Sequence, residues 1–256
     1  MFNYLNNHLV ISEYTYKNKK IPKEFNNFTI VHISDLHETL FGKNQCDIIK
    51  EIKSINPNII VMTGDMLDKE EFLNALILIE ECVKICPVYF VEGNHEYVSK
   101  SKVDFYLAML DAKVNIIDNR KATITICDQN INLCGCAMHT GIKTKKDFAN
   151  ITKKIQKLNL NKNEFNIMLL HRPEFIKFLS NFNIDLIFSG HAHGGQWRFF
   201  NKGIYAPQQG IFPKYTSGIH KEKDTTEIIS RGLGNKTIYP RINNYPEIVV
   251  CKLLSN

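Results

Sequence analysis

Five apolar runs in this chain each stop at a cluster of polar, ion-ligating side chains. That pattern constrains the fold more than any other feature. Phe28–Ile33 runs into Ser34-Asp35-Leu36-His37, and Ile59–Met62 into Gly64-Asp65-Met66-Leu67-Asp68. Val88–Val91 leads to Gly93-Asn94-His95-Glu96, Phe165–Leu170 to His171-Arg172-Pro173, and Ile184–Phe188 to Gly190-His191-Ala192-His193-Gly194-Gly195-Gln196. A short unbroken apolar run has the length and character of a strand buried on both faces. Polar clusters at strand exits are what an active site at the rim of an α/β sheet needs.

The segments between the runs read as helices. Asp47–Ile55 puts Ile48, Ile52 and Ile55 at helical spacing, and Asn56-Pro57 ends it. Lys69–Lys84 repeats the pattern with Phe72, Leu76, Ile79 and Val83 inward. The order β-α-β-α-β predicts parallel pairing in the first half. Val103–Ala112 is a shorter helix and Val114–Ile117 a short strand. Ala122–Cys127 and Ile131–Cys136 then form a hairpin around Asp128-Gln129-Asn130. Lys145–Leu158 is a Lys-rich helix, and Glu174–Asn181 a helix between the last two long apolar runs. His8–Lys17 reads as an edge strand; Trp197–Phe200, Glu227–Ser230 and Ile248–Leu253 are strand-like, and Pro207–Asp224 reads as loop. No linker or repeat divides the chain, so residues 1–256 read as a single domain of two stacked sheets with helices outside.

A chain of 256 residues can bury a full core. No stretch reaches the length of a membrane helix, and Met1–Tyr16 shows no basic segment followed by an apolar one. The odd count of seven cysteines argues against a disulfide framework and for a reduced compartment, so a cytoplasmic location is expected. The net charge of +6 favours anionic partners. No run of five or six like charges marks a nucleic-acid tail, and nucleic acid is not the favoured partner.

Asp35 and His37 lie two apart, which on extended backbone aims both at one ion; His191 and His193 repeat that spacing. Asp65 follows Gly64 at a strand exit and is well placed to bridge two cations with its two oxygens. Asp68 is either a helix cap or a partner that orients a histidine. Asn94 offers a neutral carbonyl oxygen, and its neighbour His95 is the natural general acid. Glu96 is placed to set the His95 tautomer. His171 is a further ligand, and Arg172 either meets a phosphate oxygen or packs on a neighbouring carboxylate. Imidazoles mixed with carboxylates suit two transition-metal ions (manganese, iron or zinc, divalent or trivalent) better than magnesium or calcium. Such a pair activates water, binds phosphoryl oxygens and steadies a leaving group.

In order, these blocks resemble the calcineurin-like metallophosphoesterase superfamily, whose pattern is Asp-x-His, Gly-Asp-x-x-Asp, Gly-Asn-His-Asp/Glu, a lone His and Gly-His-x-His. Each element has a counterpart between Asp35 and His193. The resemblance implies a four-layer α/β/β/α sandwich of two mixed sheets. It implies one ion on Asp35, His37, Asp65 and His193, a second on Asp65, Asn94, His171 and His191, and His95 protonating the leaving group. The implied reaction is in-line hydrolysis of a phosphodiester by a metal-bound hydroxide. Gly194-Gly195-Gln196, Ile229–Asn235 and Tyr245–Ile248 are similar to the bacterial membrane-associated phosphodiesterases that include UDP-diacylglucosamine hydrolases. That branch implies a small-molecule or phospholipid-like phosphoester, peripheral membrane contact, and Gln196 near the substrate. The branch's acidic residue after the central hairpin has no clear counterpart in Gly135–His139, and His139 is either substrate-facing or simply exposed.

Two other readings share these residues. A nuclease would use the same chemistry, with the excess of lysine contacting phosphates, yet no dedicated DNA-binding module is visible. A non-catalytic scaffold on the same fold is expected to lack ligands or the acid, and here none is missing. The rim at residues 197–247 mixes Trp197, Phe199, Phe200, Tyr205, Phe212 and Tyr215 with basic residues; this suits a lipid–phosphate or nucleotide head group, or else the aromatics close the second sheet.

Overall fold

Two six-stranded mixed sheets stack face to face, and the reason lies in the period of their apolar residues. The computed structural model describes residues 8–138, 144–200, 202–235 and 241–256; His139 lies outside them. The first sheet contains β1 (Val10–Asn18), β2 (Phe28–Ile33), β3 (Ile59–Met62), β4 (Val88–Phe90), β5 (Asn115–Ile116) and β16 (Glu247–Ser255). Its order is β1-β16-β2-β3-β4-β5. Strands β2 to β5 are parallel, β16 runs antiparallel to β2, and β1 runs parallel to β16.

The second sheet contains β6 (Lys121–Ile126), β7 (Gln129–Cys136), β8 (Asn166–Leu170), β9 (Leu186–Ser189), β14 (Gly218–Glu222) and β15 (Thr225–Ile229). Its order is β14-β15-β9-β8-β7-β6, with the four central strands parallel and both edge strands antiparallel.

Successive side chains of a strand point to opposite faces, so an unbroken apolar run feeds two cores at once. In β2 and β3, Ile30, Ile59 and Val61 enter the core between the sheets, where Leu133, Ile167 and Val249 meet them. Their neighbours Val31, Ile33, Ile60 and Met62 face outward, under α1 (Cys46–Ile55), α2 (Leu73–Val83) and α4 (Lys102–Asp111). In the second sheet Cys134, Met168 and Leu170 face outward under α5 (Lys145–Lys157) and α6 (Ile176–Leu179). These are four layers, α/β/β/α. Each aliphatic side chain so buried contributes about 1.5–3 kcal/mol over leaving it exposed.

Some element boundaries differ from the sequence expectation, each for a local reason. Helix α2 starts at Leu73 rather than near Lys69, because Asp68 and Glu71 pair through their backbones (N···O 3.0 and 2.9 Å). The Glu38 carboxylate then accepts from the N–H groups of Asn74 and Ala75, both at 2.9 Å, and satisfies donors that a helix start leaves open. The central hairpin turns on two residues, Cys127 and Asp128, at φ of 47° and 65°, so Gln129 and Asn130 belong to β7 rather than to the turn.

The largest correction concerns Pro207–Asp224, expected as loop. Residues 218–222 form the edge strand β14. The chain before it makes two small hairpins, β10 (Arg198–Phe199) with β11 (Lys202–Gly203) and β12 (Tyr205–Ala206) with β13 (Gly210–Ile211). Two-residue strands carry too little pattern to be seen in the sequence. All seven cysteines are free thiols.

Candidate metal centre

The five polar clusters leave the carboxyl ends of β2, β3, β4, β8 and β9, where an open α/β sheet places its ligand crevice. Backbone bonds tie the clusters together. Asp35 N–H donates to Gly64 O (3.0 Å) and His37 N–H to Asp65 O (3.1 Å). Across the two sheets, His191 N–H donates to the Asp35 carboxylate at 3.0 Å. Gly190 permits that crossing: a Cβ there would stand 1.9 Å from Ser34 Oγ. Gly64 does the same between β3 and β4, where a Cβ would stand 2.2 Å from the Gly93 nitrogen.

Asp35, His37, Asp65, His191 and His193 all have positive φ, between 45° and 66°. The sequence expectation was extended backbone in Asp35-x-His37 and His191-x-His193. The structure instead uses left-handed turns, which non-glycine residues adopt at a cost of roughly 1–3 kcal/mol each. Strain at five neighbouring ionisable residues is a mark of a functional site.

The side chains converge into two groups that share Asp65. In the first, Asp35 Oδ1 is 3.9 Å from His37 Nε2 and 3.5 Å from His193 Nε2, and the two imidazole nitrogens are 3.2 Å apart. In the second, His171 Nε2 is 3.1 Å from Asp65 Oδ2 and 3.1 Å from His191 Nδ1. Asp65 Oδ2 also lies 3.8 Å from His37 Nε2, so one oxygen faces both groups. Asn94 Oδ1 is buried without a hydrogen-bond partner. The facing nitrogens, the orphaned amide oxygen and the two buried carboxylates form a donor set that fits two cations.

The electrostatics demand positive charge here. Burial alone would raise the Asp35 and Asp65 carboxyls, yet neighbouring histidines outweigh it and hold both low. Burial would likewise push His171 down, but Asp65 lifts it to about 10. His171 Nδ1–H donates to Thr63 O at 2.6 Å, so the extra proton sits on Nε2, facing Asp65. That proton stands where a cation would. Burial pushes His193 down to about 4 and His37 well down, which keeps their lone pairs free.

His95 is the second residue of α3 (Asn94–Val98), a turn of helix rather than extended chain. Its Nε2 is 4.0 Å from Asp65 Oδ2, and its Nδ1 faces Asp68 Oδ1 at 3.6 Å. Asp68 therefore meets His95 and caps no helix; α2 begins five residues later, at Leu73. Glu96 was expected at the His95 ring and is not there. Adjacent helical residues point about 100° apart. The Glu96 carboxylate turns inward and accepts from the backbone N–H groups of Asp65, Met66, Leu67 and Gly93 at 2.7–3.3 Å. It builds the Asp65 loop.

Arg172 is buried, donates from Nε to Glu174 Oε1 at 2.8 Å and lies over the Phe175 ring. The carboxylate-packing alternative is therefore the one observed. Gln196 lines the cavity and donates to Asn235 Oδ1 at 3.0 Å. Two contributors had no sequence signal. Gln208, in the turn of the β12–β13 hairpin, accepts from His191 Nε2 at 2.6 Å. Arg241, fully buried, approaches His193 Nδ1 with its Nη2 at 3.3 Å. After burial, its positive charge also helps to hold the His193 ring below its ordinary value.

His37, Asn94, His95, His191, Tyr205 and Gln208 are among the walls of a cavity of about 190 Å³. A wider groove of about 640 Å³ between α1 and α2 holds Lys43, Cys46 and Lys53 but none of these histidines. Of the two, the smaller cavity is the one walled by the clustered histidines.

Residues 28–195 match the family model for calcineurin-like phosphoesterases. The chain is 28% identical over 232 residues to YkoQ of Bacillus subtilis, an uncharacterized metallophosphoesterase, covering 86% of this chain and 81% of that protein. To YkuE of the same organism, also an uncharacterized metallophosphoesterase, it is 26% identical, covering 98% and 88%. Among solved structures it is similar to the phosphopantetheinyl hydrolase PptH of Mycobacterium tuberculosis, with a TM-score of 0.53 at 12% identity, covering 89% of this chain and 96% of that one. A dimetal phosphatase of Danio rerio matches with a TM-score of 0.50 at 10% identity, covering 81% and 88%.

Proposed function

The chain belongs to the calcineurin-like phosphoesterase family and is a metal-dependent phosphoester hydrolase; from that premise we propose that it is a dinuclear-metal phosphodiesterase with His95 as general acid. The observation that carries the reading is Asp65 Oδ2, which faces His37 at 3.8 Å and His171 at 3.1 Å and so joins both donor groups. Asp35, His37, Asp65 and His193 would hold one ion, and Asp65, Asn94, His171 and His191 the other. Manganese, iron or zinc fits imidazole and carboxylate together. When bound, the ions lower the pKa of water and polarise the phosphoryl oxygens.

The chain's own residues do the rest. Asp65 Oδ1 accepts from His95 N–H at 2.8 Å, which ties the acid's backbone to the carboxylate that both donor groups share. Asp68, facing Nδ1, orients the ring so that Nε2 turns toward the reacting centre and can give its proton to the departing oxygen. Glu96 keeps the Asp65 loop in its strained form, and Gln208 keeps His191 in one tautomer. The cavity of about 190 Å³ suits a phosphoester group with the rest of a small or phospholipid-like substrate outside it.

The test is a metal-reconstituted panel of phosphomonoesters, phosphodiesters and UDP-lipids, run on the native protein and on His95→Ala. For diesters with an alkoxide leaving group, the variant is expected to lose about 10²–10⁴ of kcat. It should lose much less with nitrophenolate, which leaves unprotonated. Turnover that survives complete removal of metal would defeat the reading.

A further inference from the structure

Arginine backs the donor group of Asp35, His37 and His193. Arg241 is 1% exposed; its Nη2 donates to Gly234 O and stands 3.3 Å from His193 Nδ1. The other nitrogen of that ring, Nε2, is the one that faces Asp35 and His37. Arg198 Nη1 donates to Gly194 O at 2.8 Å, one residue further along the same turn. Arg231 packs there too: a Cβ at Gly194 would stand 3.0 Å from its Cγ. The segment that follows Arg231 lies on Asp35, whose backbone oxygen accepts from Gly234 N–H at 2.6 Å. Three guanidinium groups therefore lie behind the His193 turn. The carboxylates that act on Arg198 and Arg241 are Glu247 and, for Arg241, Asp35. Glu247 is shared, since it also pairs with Arg231 at 3.0 Å, and Asp35 already belongs to the ion position. Residues 232–246 contain no Asp or Glu.

Arg241 is not a wall of the cavity, and a side chain so deeply buried does not reach a substrate phosphate. Burial lowers it to about 10, which leaves it charged at neutral pH. A charge kept there acts on whatever occupies the ion position. We propose that Arg241 restricts the position of Asp35, His37 and His193 to divalent cations and excludes trivalent ones. The inference rests on the dinuclear reading above and adds to it the charge of one ion. Repulsion from a fixed cation grows in proportion to the charge of the ion, and buried charges are screened little. The ligands offer little to oppose it: Asp35 and Asp65 are the carboxylates among the seven, and Asp65 is shared between both groups. The usual partner of a ligating histidine is a carbonyl or carboxylate, which raises its basicity. A guanidinium beside the ring does the reverse.

The experiment is competition between zinc and gallium(III), a redox-inert trivalent ion supplied as its citrate, for the metal-free protein at neutral pH. Elemental analysis of the desalted protein counts both ions per chain. With zinc alone the native protein is expected to hold two ions. With both metals it should hold at most one gallium, because the position beside Arg241 stays divalent. Arg241→Gln removes the charge and should raise the preference of that position for gallium over zinc by about tenfold or more, so that a second gallium enters. Arg241→Lys keeps the charge and should match the native protein, an outcome that loss of packing alone would not give. Arg241→Met, which keeps the buried stem, serves as the neutral variant if glutamine unfolds the turn; two zinc ions per chain show that a variant is folded. Two gallium ions per native chain overturn the inference, and so does a neutral variant that takes up no more gallium than the native protein while it still holds two zinc ions. Fewer than two zinc ions per native chain overturns the dinuclear reading, and this inference with it.

Discussion

His191 donates from Nε2 to Gln208 Oε1 at 2.6 Å while its Nδ1 faces His171 Nε2 at 3.1 Å. A proton held on Nε2 leaves the Nδ1 lone pair directed at the second ion position. Partners of this kind typically change metal affinity 10–100-fold when removed. Gln208→Ala is expected to weaken the ion next to His171 by roughly that factor and to leave the one next to His37 unchanged. Gln208→Glu, which keeps an acceptor, should restore it. Calorimetric titration with manganese resolves the two sites.

Metal capture should release protons. His171 sits at about 10, raised by Asp65 against burial, so below that pH an incoming ion displaces its Nε2 proton. Affinity should climb by about tenfold per pH unit through the neutral range. Comparing binding heats in buffers of different ionisation enthalpy counts the proton. In metal-free protein the sign is fixed by the same shift: the stability it contributes is complete below the unfolded value of 6.5 and disappears as pH rises through about 10.

Glu96→Gln tests the Asp65 loop. Burial and the Asp65 charge push the Glu96 carboxyl up to about 7, against four backbone N–H donors that favour the anion. An amide of the same size turns an NH2 group toward those donors. Loss of hydrogen bonds to a charged group costs about 1.5–3 kcal/mol, so thermal melting should fall by roughly 5–10 °C. Metal content should fall with it.

Glu227 predicts an opposite result. It lies on β15, fully buried, with Oε1 accepting from Ser189 Oγ at 2.8 Å and Oε2 without a hydrogen-bond partner. Burial raises its carboxyl well above 4.5, so the folded state holds a proton that the unfolded chain releases near that pH. Stability should therefore fall as pH rises above about 4.5, by about 1.4 kcal/mol per unit until the folded value is passed. Glu227→Gln should flatten that slope and melt higher than the native protein at neutral pH. Denaturant unfolding at several pH values measures it.

The strand ends and their clusters were legible because both signals are local. An apolar run names a buried strand, and few residue types hold ions, so Asp35, His37, Asp65, Asn94, His171, His191 and His193 could be singled out as candidate ligands from the chain alone. The geometry joining them was not legible. Asp35-x-His37 reads as extended chain, yet both residues occupy left-handed turns that only the packed neighbours Gly64, Gly93 and Gly190 make possible. Glu96 looked like a partner for His95 because the two are adjacent, but the first turn of α3 sends them to different sides. Gln208 and Arg241 carry no chemical signature in sequence. A glutamine in a Pro-Gln-Gln-Gly turn reaches His191 only because the hairpin folds back over the cavity, and Arg241 meets a histidine 48 positions earlier.

Strand β16, residues 247–255, lies inside the first sheet, between β1 and β2. Every other strand of both sheets is synthesised before it. A nascent chain emerging from the ribosome therefore carries β1 without its hydrogen-bonding neighbour, and one flank of β2 bare, until residues 247–255 clear the exit tunnel. A chain cut before residue 247 would lack an interior strand and leave two open edges for misassociation.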